Sequence, residues 1–139
     1  MQITNEFDTR LAMGYQAAGT SDVNGNILDT QGASSLCFLA ALGPIVSGGV
    51  QSLKVQEGDV SDGSDMADID GAVYTLSDTD DDKLCAIEVA RATKRYVRIV
   101  LLRETQNCTL YSVIALLGDL RKKPPANHST FDGKTVVAS

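Results

Sequence analysis

The side chains best suited to chemistry in this sequence are three cysteines and one histidine. Cys37, Cys85 and Cys108 are an odd number without CxxC spacing, and each lies in or beside an apolar segment. This placement is typical of small buried hydrophobic residues rather than of nucleophiles or metal ligands. A Cys–His nucleophile would need His128 as its base, but His128 follows two prolines in a polar tail that would not hold it rigidly. The sequence therefore predicts no catalytic cysteine.

A second candidate for chemistry is the density of acids between residues 57 and 82. This window has ten acids and no Lys or Arg, although the whole chain has a net charge of only −6. The rest of the chain holds eight acids against twelve bases, a net charge of +4. The pattern predicts one acidic lobe on a mildly basic body, either solvated or facing a basic partner. The acids are Glu57, Asp59, Asp62, Asp65, Asp68, Asp70, Asp78, Asp80, Asp81 and Asp82.

Calcium binding is the most specific chemistry that these acids suggest. The calcium-loop pattern needs oxygen ligands at its first, third and fifth positions, Gly at the sixth and Glu at the twelfth. Asp78, Asp80 and Asp82 supply the first three ligands. Lys83 and Val89 stand where Gly and Glu are required, so the pattern fails. We therefore predict no metal site and no cofactor, while an irregular oxygen cage in these loops stays an open alternative.

Two further functions are disfavoured by the residues present. Glycoside hydrolysis needs paired carboxylates, and Glu88 is the only acid in an apolar strand-like segment; we expect it to pair across strands with Arg91 or Arg98 instead. Nucleic-acid binding would rest on a basic cluster, but the sequence pI of 4.6 opposes it. There is no phosphate-binding glycine loop and no GxSxG turn. The sequence therefore predicts a protein that is not an enzyme and binds no nucleic acid. The basic cluster is Arg91, Lys94, Arg95, Arg98 and Arg103.

The elements that would position these residues are short strands separated by turn residues. About eight strands with turn signals every 8–12 residues predict an all-β fold, an antiparallel β-sandwich of the jelly-roll type, with an immunoglobulin-like sandwich as the second choice. The apolar run 35–42 is expected to be a central strand covered on both faces. Residues 10–17 could instead start a short helix, and residues 84–90 could form one or two helical turns. The candidate strand segments are 10–17, 27–30, 35–42, 50–57, 66–69, 73–76, 84–90, 94–103 and 109–117.

The chain is predicted to have one domain with an extended arm at each end. Residues 1–9 form the N-terminal arm, residues 10–118 the sandwich, and residues 119–139 a C-terminal arm rich in basic residues and proline. There is no apolar run long enough for a transmembrane helix, and the first ten residues lack the features of a secretory signal. We therefore expect that the protein does not associate with a membrane and that it is synthesised in a cytoplasm.

One pattern of strands and turns resembles a known protein family. A strand with Lys and Gln (Lys54–Glu57) leads into an acidic turn (Gly58–Asp65), a short segment with Asp-Ile (Met66–Ile69), and a later KRYVR strand (Lys94–Arg98). Together these elements resemble the capsid cement proteins, also called decoration or stabilisation proteins, of tailed double-stranded-DNA bacteriophages. The resemblance covers residues 50–103. It departs at Met66, where the family is often aromatic, and the C-terminal arm is not part of the shared pattern.

The resemblance implies a non-enzymatic virion structural protein. It would bind the major capsid protein on the outer surface of a phage capsid and bridge neighbouring capsomers, after synthesis in the cytoplasm of the bacterial host. Self-association as a homodimer is expected, with a trimer possible. Two alternatives stay open: a module that binds carbohydrate or a host surface, and a tail or head–tail connector subunit.

The C-terminal arm is the segment that we expect to grip the capsid. Arg121, Lys122 and Lys123 would meet an acidic capsid surface. Phe131, Val136 and Val137 are expected to act as apolar anchors at the capsid or subunit interface. An arm of this kind can become ordered on contact, which exchanges conformational entropy for buried surface.

Overall fold

The computed structural model describes residues 2–48, 51–104, 106–125, 131 and 133–137. Within these ranges the chain forms one short helix, nine strands and a single turn of 3₁₀ helix at Asp78–Asp80. No helix in these ranges has the length and apolar character that crossing a membrane would require. The elements are α1 (Ile3–Glu6), β1 (Asp8–Met13), β2 (Val23–Asn24), β3 (Leu28–Asp29), β4 (Ser35–Ile45), β5 (Gln51–Gly58), β6 (Ala67–Leu76), β7 (Leu84–Val89), β8 (Tyr96–Arg103) and β9 (Cys108–Gly118).

The strands form two antiparallel sheets that pack face to face, which confirms the prediction of an all-β sandwich. The first sheet has the order β1-β9-β4-β7, and the second has the order β2-β8-β5-β6 with β3 also paired to β8. The pairs are nested along the chain: β1 with β9, β2 and β3 with β8, β4 with β7, and β5 with β6. Two further pairings, β4 with β9 and β5 with β8, complete the two sheets.

The core between the sheets is built by the alternation that strand geometry imposes. Successive side chains of a strand point to opposite faces, so every second residue of β7 and β8 is buried. Cys85, Ile87 and Val89 of β7 face inward, as do Val97 and Ile99 of β8. Burial of this continuous apolar cluster is the main force holding the two sheets together.

The predicted strands at 66–69 and 73–76 are one strand, β6, with an irregularity in its middle. Lys54 pairs with Val73, and two residues later Gln56 pairs with Asp68, so extra residues of β6 bulge out opposite β5. Gly71 lies in this bulge with φ of +80°, a conformation that suits glycine. The prediction of two strands was wrong because the Asp-Gly pair interrupts the register without turning the chain.

The expectation that strand 35–42 would be covered on both faces was wrong. β4 is longer, from Ser35 to Ile45, and only its inner face is packed. Phe38 and Ala40 are each 1% exposed, whereas Leu39 between them is 39% exposed on the outside of the sheet. The apolar run therefore reflects two different surfaces, a core and an outer face with large apolar side chains.

The described N-terminal and C-terminal segments meet at one end of the sandwich, where Lys123 contacts Glu6 and Lys134 contacts Thr4. β1 begins at Asp8, inside the segment 1–9 that was predicted as an arm, and α1 precedes it. The described residues after Gly118 contain no strand or helix. The backbone N–H of Arg121 donates to the carbonyl of Gly32 at 2.8 Å, which ties the start of the C-terminal arm to the sandwich.

Candidate functional site

The three cysteines lack the surroundings that activate a catalytic thiol. Cys85 and Cys108 are buried, while Cys37 is half-buried on the outer side of β4. Burial raises the pKa of all three thiols, which disfavours the thiolate that nucleophilic chemistry needs. His128, the only conceivable base, lies outside the described residues. No Cys–His pair can therefore be assigned in the described chain.

The ten acids do not form one lobe, so that prediction was wrong. Glu57 pairs with Ala67 at one end of the β5–β6 hairpin, and Gln51 pairs with Leu76 at the other. The 58–66 turn and the 77–83 turn therefore lie at opposite ends of the sandwich, separated by roughly 25 Å of extended chain. The two turns are close in sequence, which suggested one lobe, but β6 lies between them and separates them by its full length.

The 58–66 turn uses its acids to fold itself and to bind a base within the same chain. The carboxylate of Asp65 accepts the backbone N–H groups of Asp59 at 2.9 Å and Val60 at 3.1 Å, and these bonds lower the pKa of Asp65. Asp59 pairs with Lys94 at 2.9 Å. Glu57 accepts hydrogen bonds from Thr93 and from the backbone of Lys94. The basic partner of this turn is therefore the segment before β8.

The 77–83 turn directs its carboxylates to different partners. Asp80 accepts the backbone N–H of Ser77 at 3.0 Å, and Asp81 accepts that of Ile45 at 2.8 Å. Asp82 accepts the hydroxyl of Tyr111 at 2.6 Å, which raises the pKa of Tyr111. Within the described ranges, no three His, Cys, Asp or Glu side chains are grouped as a metal site would require. The turn thus fastens β6 and β7 to β4 and β9.

Acid should weaken the 58–66 turn, and Asp65→Asn tests this. The pKa of Asp65 is lowered from 3.8 in the folded chain, so its stabilising effect is present above pH 3.8 and is lost as the pH falls through the folded value. We expect Asp65→Asn to lower the urea midpoint at pH 7 and to differ less from the parent below pH 3.8. The exposed Asp70→Asn is the control. A difference that is independent of pH would contradict this role.

The predicted basic cluster is used inside the molecule. Arg103 is only 7% exposed, and its guanidinium donates to the carbonyls of Ala17 and Ser21 at 2.7 Å and of Cys108 at 2.9 Å. Arg95 forms a double hydrogen bond with Asp29, which lowers the pKa of that carboxyl. These contacts fix loops at both ends of the sandwich. The alternation of β8 that buries Val97 and Ile99 also turns Arg103 inward.

The expected pairing of Glu88 with Arg91 or Arg98 was also wrong. Arg98 donates to the side-chain oxygen of Gln56 at 2.9 Å, not to Glu88. Glu88 is exposed on the outer side of β7, where it pairs in register with Cys37 of β4. Among ion pairs between described residues, none includes Glu88. β7 and β8 belong to different sheets, which keeps these two side chains apart.

The basic residues of the C-terminal arm are brought together and exposed. Arg121, Lys122 and Lys123 follow β9 at the end of the sandwich where α1 also lies. Lys123 pairs with Glu6 at 2.6 Å, while Arg121 and Lys122 line an open cleft of about 540 Å³. The floor of the cleft includes Arg10, whose charge is balanced by Asp8 at 2.7 Å. The positive charge of this cleft that no acid balances therefore comes from Arg121 and Lys122.

The predicted apolar anchors differ from one another in exposure. Phe131 is half-buried, whereas Val136 is 48% exposed and Val137 is 78% exposed. The side chain of Lys134, between them in sequence, donates to the hydroxyl of Thr4 at 3.3 Å. The structure thus leaves the two valines accessible to a partner.

The outer face of the β1-β9-β4-β7 sheet is a feature that sequence reasoning missed. Leu11 pairs in register with Ile114, Ile114 with Leu39, and Leu39 with Ala86, so one row of apolar side chains crosses all four strands. The three large residues of this row are 39–44% exposed. We call this surface the apolar sheet face. The sequence indicates this surface only through β4, in which the residues that alternate between the two faces of the strand are apolar on both.

The outer face of the other sheet is more polar, although Val73, which is 54% exposed, lies on it next to Lys54. Lys54 pairs with Asp68 at 3.0 Å, and the amide of Gln56 donates to Asp68 at 2.9 Å while accepting from Arg98. Ser52 and Thr75 extend this polar surface along the same two strands. Polar groups that satisfy each other in this way suit a surface that stays in water. The two sides of the sandwich are therefore chemically distinct.

Comparisons with known proteins add no family to these observations. No protein-family model matches the chain, and no curated protein is similar to it.

Proposed function

We propose that the sandwich is of the jelly-roll type. If β2 and β3 are counted as one interrupted strand, the chain has eight strands. They pair from the outside inward, β1 with β9, β2 and β3 with β8, β4 with β7, and β5 with β6, which supports this proposal. An immunoglobulin-like sandwich is disfavoured because its first and last strands lie in different sheets, whereas β1 and β9 are paired neighbours. Viral capsid domains are among the known uses of the jelly roll.

We further propose that the chain is a capsid cement protein that binds the outer surface of a phage capsid, bridges neighbouring capsomers and acts without catalysis. The observation that carries this proposal is the exposed basic stretch Arg121–Lys123, which lies beside the N-terminal segment at one end of the sandwich. A rigid body with both chain ends on one side can hold a shell through that side. The strand and turn pattern of residues 50–103 supports the same function.

The charges describe how such binding would work. Arg121 and Lys122 are exposed and have no acid paired with them in the described chain. They would be attracted to acidic groups on the major capsid protein, an attraction that salt weakens. Val136 and Val137 would then bury apolar surface next to that contact, as the predicted anchors.

Deleting residues 119–139 should remove the protein from the particles that carry it. We expect capsid occupancy, measured by gel densitometry of purified virions, to fall by more than about tenfold, since both the charges and the apolar anchors are lost. The matched variant Arg121→Gln/Lys122→Gln should bind more weakly than the parent at low salt, and the difference should shrink as the salt concentration rises, because salt screens the attraction that these two charges supply.

Several outcomes would contradict this proposal. Unchanged occupancy after the deletion would overturn the role of the arm. Absence of the protein from purified virions would overturn the whole proposal. Copy number separates cement from a connector subunit, because a shell carries hundreds of copies and a ring about a dozen. A count near a dozen would therefore assign the chain to the tail or connector.

A further inference from the structure

The apolar sheet face is built as a continuous surface of three rows. Its middle row is Leu11, Ile114, Leu39 and Ala86, aligned across β1, β9, β4 and β7. The row on one side pairs Leu116 with Cys37, and the row on the other side pairs Ser112 with Ala41. Glu88, at the β7 border, is the only charged residue in these rows as far as they are described. The centre of the face is thus apolar and uncharged.

The described parts of the chain leave this face open. Leu11, Leu39 and Ile114 each keep about two fifths of their surface accessible, where a large apolar core residue keeps almost none. Three contacts of the C-terminal arm, those of Arg121 with Gly32, Lys123 with Glu6 and Lys134 with Thr4, lie near the start of β1. Large contiguous apolar surfaces of this kind mark interaction sites.

We propose that the apolar sheet face packs against the same face of a second copy of this chain, forming a two-fold symmetric dimer. The proposed function includes a homodimer, and this inference rests on it and specifies the surface that the two copies share. The capsid would be bound by the basic arm, so one surface serves self-association and another serves the shell. The polar outer face of the other sheet is left in water.

A second copy fits this face better than a charged partner does. A surface without charge at its centre offers no ion pair to a basic or acidic protein, but a two-fold axis makes it complementary to itself. Two sheets pack face to face about 10 Å apart when their side chains interdigitate. The small side chains Ala41, Ala86 and Ser112 leave room between the larger leucines and Ile114 for such packing.

The size of the face indicates a weak, reversible dimer rather than a permanent one. Four strands about 4.8 Å apart and three outward rows about 7 Å apart give roughly 400 Å² per copy. A standard interface buries about 800 Å² per partner. The face therefore supplies about half of that area, and we expect a reversible dimer with a dissociation constant on the order of 10 µM.

Sedimentation velocity on the full chain over a range of concentrations tests the dimer. We expect the parent protein to pass from monomer to dimer, and Ile114→Lys or Leu39→Lys to weaken dimerisation by more than about 100-fold, because each would bury an unpaired ammonium group. Thr75→Lys places the same side chain on the polar face and should dimerise like the parent. Circular dichroism of each variant verifies that the sandwich is intact.

Cys37 provides an independent measure, since it lies on the apolar sheet face while Cys85 and Cys108 are buried. A short bis-maleimide should cross-link the parent into dimers, and Cys37→Ser should abolish this. If the parent protein stays monomeric up to about 500 µM, the proposal is overturned, because this concentration is about 50-fold above the expected dissociation constant of the dimer. A dimer that survives Ile114→Lys would overturn it too. Capsid binding is measured separately, so a dimer that does not bind virions rejects only the cement function.

Discussion

Replacing Arg103 by Met should lower the free energy of unfolding by about 3–4 kcal/mol, because three carbonyl groups lose a charged donor in a buried site. Arg103 connects the loop between β1 and β2, through Ala17 and Ser21, to the start of β9 at Cys108. Its own backbone N–H donates to Asp22 at 2.9 Å. Met fills much of the space of Arg but supplies no donor, so packing changes less than hydrogen bonding.

Arg91→Met is the matched control for Arg103→Met. Arg91 is exposed after β7, and its replacement should change the free energy of unfolding by less than about 0.5 kcal/mol. Urea denaturation followed by circular dichroism measures both variants. If Arg103→Met were as mild as Arg91→Met, the three carbonyls would have to be satisfied by water, and Arg103 would not organise these loops.

Phe38→Ala should cost about 3–5 kcal/mol, since Phe38 is the largest of the fully buried side chains and its loss leaves a cavity between the sheets. The neighbouring residue provides a control on the same strand. Leu39→Ala removes an exposed side chain and should cost less than about 1 kcal/mol in the monomer. Thermal unfolding at low protein concentration, where a weak dimer dissociates, compares the two.

The two variants also separate folding from association. Phe38→Ala should lower the melting temperature at every protein concentration. Leu39→Ala should leave the monomer stable but reduce the increase in melting temperature that the proposed dimer would provide at high concentration. Equal losses at low concentration would contradict the inside–outside assignment of β4.

The fold could be predicted from sequence where side chains alternate and turns carry Gly, Asn or Asp. β7 and β8 follow this rule, and their prediction was close to the observed bounds. The rule fails at β6, because Asp70–Gly71 has the composition of a turn but bulges within a strand. It also fails at β4, where apolar residues on both faces do not reveal which face meets the other sheet.

The candidate surfaces were harder to predict because they depend on which strands are neighbours. Leu11, Leu39 and Ile114 are far apart in the chain and form one row only because β9 lies between β1 and β4. The two acidic turns are close in the chain and yet lie at opposite ends. Arg103 continues an apparently basic stretch, but the loop that supplies two of its carbonyl partners, those of Ala17 and Ser21, is distant in the chain. Local patterns carry none of this information.

The pairing of β1 with β9 imposes an order on synthesis and folding. Asp8 pairs with Leu117, so β1 waits for a partner that is synthesised about 110 residues later. At about 5–20 residues per second, the ribosome leaves β1 without this partner for roughly 5–20 s. The β5–β6 hairpin can form during that time, but the first sheet cannot be completed. Folding of the sandwich should therefore finish only after β9 has left the ribosome.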